Sequence, residues 1–487
     1  MKRRTFIHAA GATGLGLTGR FGFSATDRPA AALLKLLEDS PRERIPRELA
    51  RMIHAGLRYG DLLAALSLAA VRNVQPYPDV GYKYHSVMVL RSTHLTTQHL
   101  SSADKWFPIV WAADYFKDSQ AQEQATSAWR LTTTRAASVG NQQAARHALV
   151  TALDKWDRDA ADAAIVQYAQ VARPDEIFSV LFPYGARDLR EIGHKAITVS
   201  NAHSLTALLG SAQAEPILRS TVAALQNSDA GPNPATHDLQ PDRPWRQNQN
   251  QLHAIPQSWK QGRDDPGART ELHAALYRLS EEEAGPAVVE LLRRGISPEA
   301  IWRVLFDTAA ELLMRQPNIV LLHAQTTANA LHYAYRVCGD EQTQQLMLLQ
   351  CAAFIAMFCK QVDATQADLS LEALQPLPLE HTSGEAIAEI FSDVSAGHRL
   401  QAARKSLGYL QNGGDAAALI ANARHHLVYN AEEAHDYKFS EAVFDNYSQL
   451  SDSAWRQRFL SAGMAYFKAP AKRPGPVVEE IRELLRA

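Results

Sequence analysis

The sequence predicts an all-α protein, a single large domain of pseudo-repeated helical hairpins around a central site lined with histidines. Apolar residues recur at intervals of three and four, as in YGDLLAALSLAAV (59–71) and PEAIWRVLFDTAAELLM (298–314), which is the period of an amphipathic helix. No run of alternating β-branched residues stands out as a strand signal. One hairpin pattern recurs four times along the 487 residues, and this repeat predicts the architecture.

The composition narrows the class of protein. Hydrophobic residues make up 46% and charged residues 21% of the chain, as in soluble globular proteins with a large core. The net charge of −2 gives no basic field for a nucleic-acid partner. No segment approaches the eighteen uninterrupted apolar residues of a membrane span. Three cysteines, an odd number, argue against a disulfide framework and fit small buried side chains.

The N-terminus, MKRRTFIHAAGATGLGLTG, resembles a twin-arginine export signal. Lys2, Arg3 and Arg4 precede Phe6 and a weakly apolar run rich in glycine and alanine. We therefore predict an export signal at 1–28 and an all-helical domain at 29–487. The resemblance implies the twin-arginine export machinery as a partner and a periplasmic or other extracytoplasmic location. A basic, disordered tail is the alternative.

The four hairpins share a register. An acidic residue at the start of the first helix precedes a histidine in the second by 24, 19, 24 and 20 residues in chain order. Acids suit helix N-termini, where they face the positive end of the helix dipole. The equivalent histidines are His85, His194, His323 and His435.

In three hairpins a second histidine follows nine residues later: His94, His203 and His332. Nine residues rotate a helix by about 900°, which places the second ring on the opposite face. These three histidines are interpreted as groups behind the site, between hairpins or on the surface. In the fourth hairpin, His426 lies only eleven residues after Asp415, too few for a helix and a turn, so His435 is taken as the equivalent residue.

Four equivalent imidazoles suit a transition-metal centre, because neutral imidazole binds iron, copper and zinc. Duplication of a hairpin with a packing histidine is the alternative. Lys438 lies three residues after His435, on the same helix face. A buried lysine becomes a neutral amine more readily, and such an amine can capture carbon dioxide as a carbamate, an anionic oxygen ligand. The alternative for Lys438 is a surface lysine on the last helix.

The segment 227–270 is rich in Pro, Asn, Gln and Asp and lacks an apolar period, so it is predicted as a long polar loop. Trp245, Leu252 and Trp259 give it apolar anchors. It could pack as a lid over a cavity or serve as an interdomain linker.

The segments HKAITVSNAH, HAQTTANALH and AHDYKFSEAVF resemble those of the questin oxidase-like proteins, all-helical oxygenases of anthraquinone-type polyketides. The resemblance implies a non-haem iron held by His85, His194, His323, His435 and a carboxylated Lys438, with Lys438 also assigned a catalytic role. The export signal and the insertion rich in Asn and Gln depart from the family. The segment GISPEAIWRVLFDTAAELL also resembles hairpins of carboxymuconolactone decarboxylase and alkylhydroperoxidase-type proteins, but it lacks their Cys-x-x-Cys and bears on fold only.

These observations lead to the prediction of a non-haem iron-dependent oxygenase that uses dioxygen and acts on an aromatic or quinone-like small molecule. Two alternatives stay open. One is a non-catalytic helical-repeat scaffold, whose histidines would face outward or bind nothing. The other is a zinc-dependent hydrolase or a periplasmic metal-binding protein that uses the same histidines.

Overall fold

The computed structural model describes residues 28–76, 82–132, 140–187, 189–226, 232–233, 236–362 and 369–486. The predicted export signal at 1–28 lies outside these ranges except for Arg28, so it stays a prediction.

The all-α prediction is confirmed, because the described residues form helices and no β-strand. An isolated bridge pairs Arg263 with Ile296. The first ten helices are α1 Arg28–Asp39, α2 Ile45–His54, α3 Tyr59–Asn73, α4 Tyr82–Thr97, α5 Phe107–Thr126, α6 Gln142–Lys155, α7 Arg158–Val171, α8 Pro174–Ala186, α9 His194–Leu209 and α10 Ala214–Leu225. The other described helices are α11 Arg243–Gln251, α12 Pro266–Leu276, α13 Glu281–Arg293, α14 Pro298–Arg315, α15 Ile319–Val337, α16 Glu341–Cys359, α17 Ser383–Ser395, α18 Arg399–Gln411, α19 Ala416–Asn430, α20 Ala434–Gln449, α21 Ser453–Ala462 and α22 Pro476–Leu484.

The four predicted hairpins are present as α3–α4, α8–α9, α14–α15 and α19–α20. Side-chain caps fix several of their boundaries. The Ser297 hydroxyl accepts a hydrogen bond from the Ala300 amide at the start of α14, and Asp415 accepts one from the Ala417 amide at the start of α19. Each cap satisfies an amide that the first helical turn leaves without a partner. Local sequence therefore sets where these hairpins begin.

The second helices of the four hairpins form a closed ring. Helix α4 packs against α9, α9 against α15, α15 against α20, and α20 against α4. A large continuous apolar core surrounds this ring. All three cysteines are free and buried within the core, as predicted. None of the described helices combines the length and the apolar character that a bilayer span requires.

The segment 227–270 differs from the predicted long polar loop. It contains α11 and the start of α12. Helix α11, RPWRQNQNQ, has proline near its first position and buries Trp245 and Asn248 against α13 and α16. This stretch shows no apolar period because polar side chains make the tertiary contacts that apolar residues usually make. Asn248, which donates a hydrogen bond to Gln350, is one of them. Trp259 is buried as an anchor.

Candidate metal centre

The structure brings the four equivalent histidines to one point. One ring nitrogen of each lies within 4.8 Å of those of the other three: His85, His194, His323 and His435. The Nε2 atom of His194 is 3.3 Å from Nε2 of His85 and 3.3 Å from Nε2 of His323. The ring of His435 closes the set, at centroid distances of 4.2 Å from His85 and 5.0 Å from His323. All four side chains are buried.

The convergence follows from the direction of the ring helices. Each histidine lies in the first five residues of its helix. The residues three positions later also come together, since Met88 and Ile197 share a small apolar cluster and Ile197, Thr326 and Lys438 line one passage. Both the four histidines and the four residues three positions later can come together only if the four helices run in the same direction. Their N-terminal ends therefore meet at the histidines.

Hydrogen bonds at Nδ1 orient three of the rings. Nδ1 of His194 donates to the Glu191 carbonyl at 2.6 Å, and Nδ1 of His323 donates to the Ile319 carbonyl at 2.6 Å. Nδ1 of His435 donates to the Glu433 carboxylate at 3.3 Å. These acceptors place the proton on Nδ1, because carbonyl and carboxylate oxygens only accept. The Nε2 lone pairs then face the centre, as metal-binding histidines require.

A cation fits this arrangement of donor atoms. The Nε2 atoms of His194 and His323 both carry lone pairs, so they cannot hydrogen bond to each other across 3.3 Å. Nε2 of His435 is buried and has no hydrogen-bond partner. A buried polar atom without a partner costs about 1–3 kcal/mol. One transition-metal ion would satisfy all four nitrogens, because imidazole is a preferred ligand of iron, copper and zinc.

The electrostatic environment keeps the imidazoles neutral. Burial lowers the pKa of His85, His194 and His323 well below the usual value, and nearby cationic groups, including Lys438, lower it further. Burial also lowers the pKa of His435, although Glu433 opposes the shift. Neutral imidazole is the form that binds a metal, so the site is ready for a cation near neutral pH.

Lys438 is buried beside the histidines, with 4% of the residue exposed. The surface-lysine alternative is therefore wrong. Its Nζ atom has no hydrogen-bond partner, and burial lowers the pKa of the amine to about 7. Three residues after the other central histidines, the ring helices have Met88, Ile197 and Thr326. Lys438 is therefore the one amine among these four equivalent positions. An unpaired amine with this pKa is uncharged in a large fraction of molecules at neutral pH.

A narrow passage reaches Lys438 between the four ring helices. Its volume is about 20 Å³, room for about one water molecule. Polar side chains line it, including Arg91, Asn201 and Asn329. Asn329 donates to Asp445 at 2.8 Å, and the Arg91 guanidinium lies over the Tyr333 ring at 5.1 Å. The passage admits small molecules only.

A larger surface cavity of about 680 Å³ lies beside His435, at the N-terminal end of the ring. Glu433, which holds His435, lines this cavity together with Pro317 just before α15. Arg399, Tyr466 and Lys468 form other parts of its wall. The carboxylate that orients one candidate ligand thus also borders a space of the size that binds small organic molecules.

An unusual turn places His194. Glu191, Ile192 and Gly193 all have positive φ, at 53°, 48° and 91°. The left-handed region costs a residue with a side chain about 1–2 kcal/mol. A Cβ at position 193 would lie 2.1 Å from Oγ1 of Thr327, so only glycine fits there. The Thr327 hydroxyl donates to the Ile192 carbonyl at 3.0 Å, which ties the turn to α15 and positions the Glu191 carbonyl for His194.

The nine-residue partners lie away from the centre, as the helix rotation predicts. His94 hydrogen bonds to the Tyr59 hydroxyl at 3.3 Å. His203 hydrogen bonds to the Tyr333 hydroxyl at 2.8 Å. His332 packs edge-on against Trp302 and Phe306. The ring of His426 packs against Phe391.

Sequence reasoning missed Glu433 and the turn at 191–193. An acid two residues before His435 was the available signal for Glu433. The turn carried no signal, since only the tertiary contact with Thr327 explains it.

Replacing Glu433 with Gln is expected to weaken metal binding by about 10- to 100-fold, because the amide no longer offers a charged acceptor to His435. Competition with a chelator of known affinity measures the change. Glu432→Gln is the matched control, because Glu432 lines the same cavity but pairs with Lys468 at 3.1 Å. Equal losses in the two variants would contradict a specific role for Glu433.

No family model, curated protein or solved structure matches the chain.

Proposed function

We propose that the protein is a non-haem iron oxygenase acting on a small aromatic or quinone-like molecule, as the resemblance to questin oxidase-like proteins implies. The observation that carries the proposal is the meeting of four neutral imidazoles beside a buried, unpaired lysine amine. A packing role would need none of these groups to face one another.

In this proposal the four histidines hold the iron through Nε2. Their Nδ1 hydrogen bonds keep three of the rings in the required orientation before the metal binds. Iron bound there would supply the chemistry that activates dioxygen.

Lys438 provides the anionic ligand as a carbamate. The lone pair of its neutral Nζ forms a bond to the carbon of carbon dioxide, one carbon–oxygen π bond becomes the negative charge of the carboxylate, and a proton leaves to water. An anion suits this position for an electrostatic reason. Four helix N-termini, each with about half a positive charge, meet at the site, and a metal cation adds to them. A carbamate offsets that charge, whereas an ammonium would add to it.

The organic substrate is expected to approach from the cavity beside Glu433. That cavity has a volume of about 680 Å³, within the range for small-molecule sites. The passage to Lys438, at about 20 Å³, is too narrow for an aromatic ring. Tyr466 and Arg399 could contact the ring and the polar substituents of a quinone-like molecule.

A zinc site is the second candidate. Among the described residues, the cluster that could hold a metal consists of four histidines and no carboxylate, and four protein ligands complete the tetrahedral shell of a structural zinc. The scaffold alternative predicted histidines that face outward or bind nothing. Burial of these four speaks against the outward-facing form.

Metal content and oxygen consumption test the proposal. Protein made with iron supplied is expected to hold about one iron per chain and to consume dioxygen when hydroxyanthraquinones are added anaerobically and air is then admitted. His323→Ala is expected to lose the metal. His332→Ala, on the same helix but packed against Trp302, is the matched control and should retain it.

One zinc per chain, with no oxygen consumption after iron replacement, would favour the zinc candidate. Metal retained equally by both histidine variants would contradict a centre at His323.

A further inference from the structure

A second cavity, separate from the candidate metal centre in its lining residues, lies against the outer side of α14. Its volume is about 310 Å³, which is enough for a small organic molecule. Its walls come from α12, α14, the segment 370–372 and Trp455 of α21.

Two acids one helical turn apart, Asp307 and Glu311, line this cavity. Both are almost completely buried, with 4% and 1% of the residue exposed. Residues at i and i+4 share a helix face, so both carboxyl groups belong to the same wall. They differ in their hydrogen bonds: protein donors surround the Glu311 carboxylate, whereas one oxygen of Asp307 accepts none.

Glu311 is fully engaged by the protein. Its carboxylate accepts hydrogen bonds from the Tyr277 hydroxyl at 2.7 Å, from Arg315 at 2.6 Å and from the Leu371 amide at 2.8 Å. His273 adds a contact at 3.2 Å. These bonds join α12, α14 and the segment after residue 369, so Glu311 holds the wall together and both of its oxygens already accept hydrogen bonds from the protein.

Asp307 has an oxygen, Oδ1, that is buried and accepts no hydrogen bond. Arg303, one turn earlier, does not form a direct ion pair with it. The Arg303 guanidinium instead lies 3.4 Å from Asp452 and 3.8 Å from Asp264 and stacks on Trp455. Burial raises the pKa of Asp307 well above its usual value, whereas Arg303 and the nearby Trp455 indole lower it and Glu311 raises it. A buried acceptor without a partner is a site that a donor from a ligand would stabilise.

The charges around the cavity select the kind of donor. The basic groups that face it are already paired, Arg269 with Asp264 and His273 with Glu311. Glu372, at the exposed rim, adds negative charge. An anion would meet acids and no uncommitted base. Val304, Leu371 and Trp455 supply apolar surface for the body of a ligand.

From these observations we propose that this cavity is a second binding site, for a small organic cation with an ammonium group that pairs with Asp307 and an apolar body that packs against Trp455. The proposal does not depend on the function of the metal centre.

Isothermal titration of the full chain with benzylamine at neutral pH tests the proposal, with benzyl alcohol as the uncharged probe of matched size. Benzylamine is expected to bind, and benzyl alcohol about 10- to 100-fold more weakly, because a hydrogen bond to a charged partner is the stronger one. Equal affinities for the two probes, or no binding of benzylamine, would overturn the proposal without any variant being made.

Asp307→Asn is expected to reduce benzylamine affinity by about 10- to 100-fold, whereas Glu372→Gln at the rim should change it less than threefold. Without ligand, Asp307→Asn should also raise the midpoint of thermal unfolding at neutral pH. Because the folded pKa is raised, the contribution of Asp307 to stability falls as the pH rises above the unfolded value, so removing the acid helps at neutral pH. A purely structural Asp307 would give the opposite result, a lower midpoint and unchanged benzylamine binding.

Discussion

Replacing Lys438 with Met is expected to produce a protein that is more stable without metal and that no longer retains it. The amine is buried without a partner, and its pKa falls from 10.5 to about 7. Each unit of this shift corresponds to about 1.4 kcal/mol. Removing the amine should therefore raise the free energy of unfolding of the metal-free protein at pH 7 by several kcal/mol, on the order of 5.

The size of this gain in stability depends on pH. The depressed pKa of Lys438 means that its stabilising contribution is lost as pH falls from 10.5 to about 7. The gain from Lys438→Met should thus shrink when the pH is raised toward 10. Chemical denaturation of both metal-free proteins at pH 7 and pH 10 measures it.

Although Lys438→Met should increase the stability of the metal-free protein, it should decrease the metal content. Methionine cannot form a carbamate, so Lys438→Met is expected to lose most of its iron and all oxygen consumption. Lys438→Arg should also lose both, because its guanidinium stays charged. In the wild type, ¹³C-bicarbonate should label one lysine carbamate, detected by NMR, and this signal should be absent from both variants.

Lys117→Met is the matched control for a buried lysine. Nζ of Lys117 donates to the carbonyls of Leu37 and Glu38 at 3.0 and 3.1 Å, so its removal should destabilise the fold and leave metal binding unchanged. If Lys438→Met instead lowers stability while its metal content equals that of wild type, Lys438 is a structural residue outside the centre.

Acidification is expected to unfold the metal-free protein steeply below about pH 6.5. The pKa is lowered at the four central histidines, and it is lowered to about 4 at His94 and to about 3 at His332. In the unfolded chain each would bind a proton near pH 6.5. Stability from these six groups is therefore full above pH 6.5 and is lost as pH falls toward their folded pKa values.

Two buried acids act in the other direction, since the pKa of Asp307 and of Asp436 is raised. The pKa of His426 is also lowered, to about 4, and each net proton taken up on unfolding corresponds to about 1.4 kcal/mol per pH unit. A typical domain has a total of about 5–15 kcal/mol, so the loss should be complete within a few pH units.

The measurement is the free energy of unfolding at several pH values between 5 and 8. His323→Gln should lower its slope by about 1.4 kcal/mol per pH unit, one proton. A wild-type slope near zero below pH 6.5 would contradict neutral, buried histidines. Bound metal should move the transition to lower pH, because it binds the unprotonated rings.

The sequence predicted the central histidines and Lys438, but it did not predict helix α11 or the cavity at Asp307. The common register of the four hairpins selected His85, His194, His323 and His435, and the structure brings these four together. The spacing of three placed Lys438 on the face of His435. The helix α11 in the segment 227–270 was not predicted, because Asn and Gln give no apolar period even when Asn248 is completely buried. The cavity at Asp307 was equally hidden, since an acid inside an amphipathic helix usually faces solvent.

The sequence by itself determined the helical class, the four hairpins and the equivalence of their histidines, because apolar period, caps and register are properties of short stretches of chain. Only the tertiary structure decided that Lys438 is buried rather than exposed and that the Nε2 atoms face one another. Both depend on contacts among α4, α9, α15 and α20, which lie far apart in the chain and form a closed ring. Burial, and the pKa shift that it causes, arises because these sequence-distant helices exclude water from the site. A local sequence pattern therefore cannot predict either.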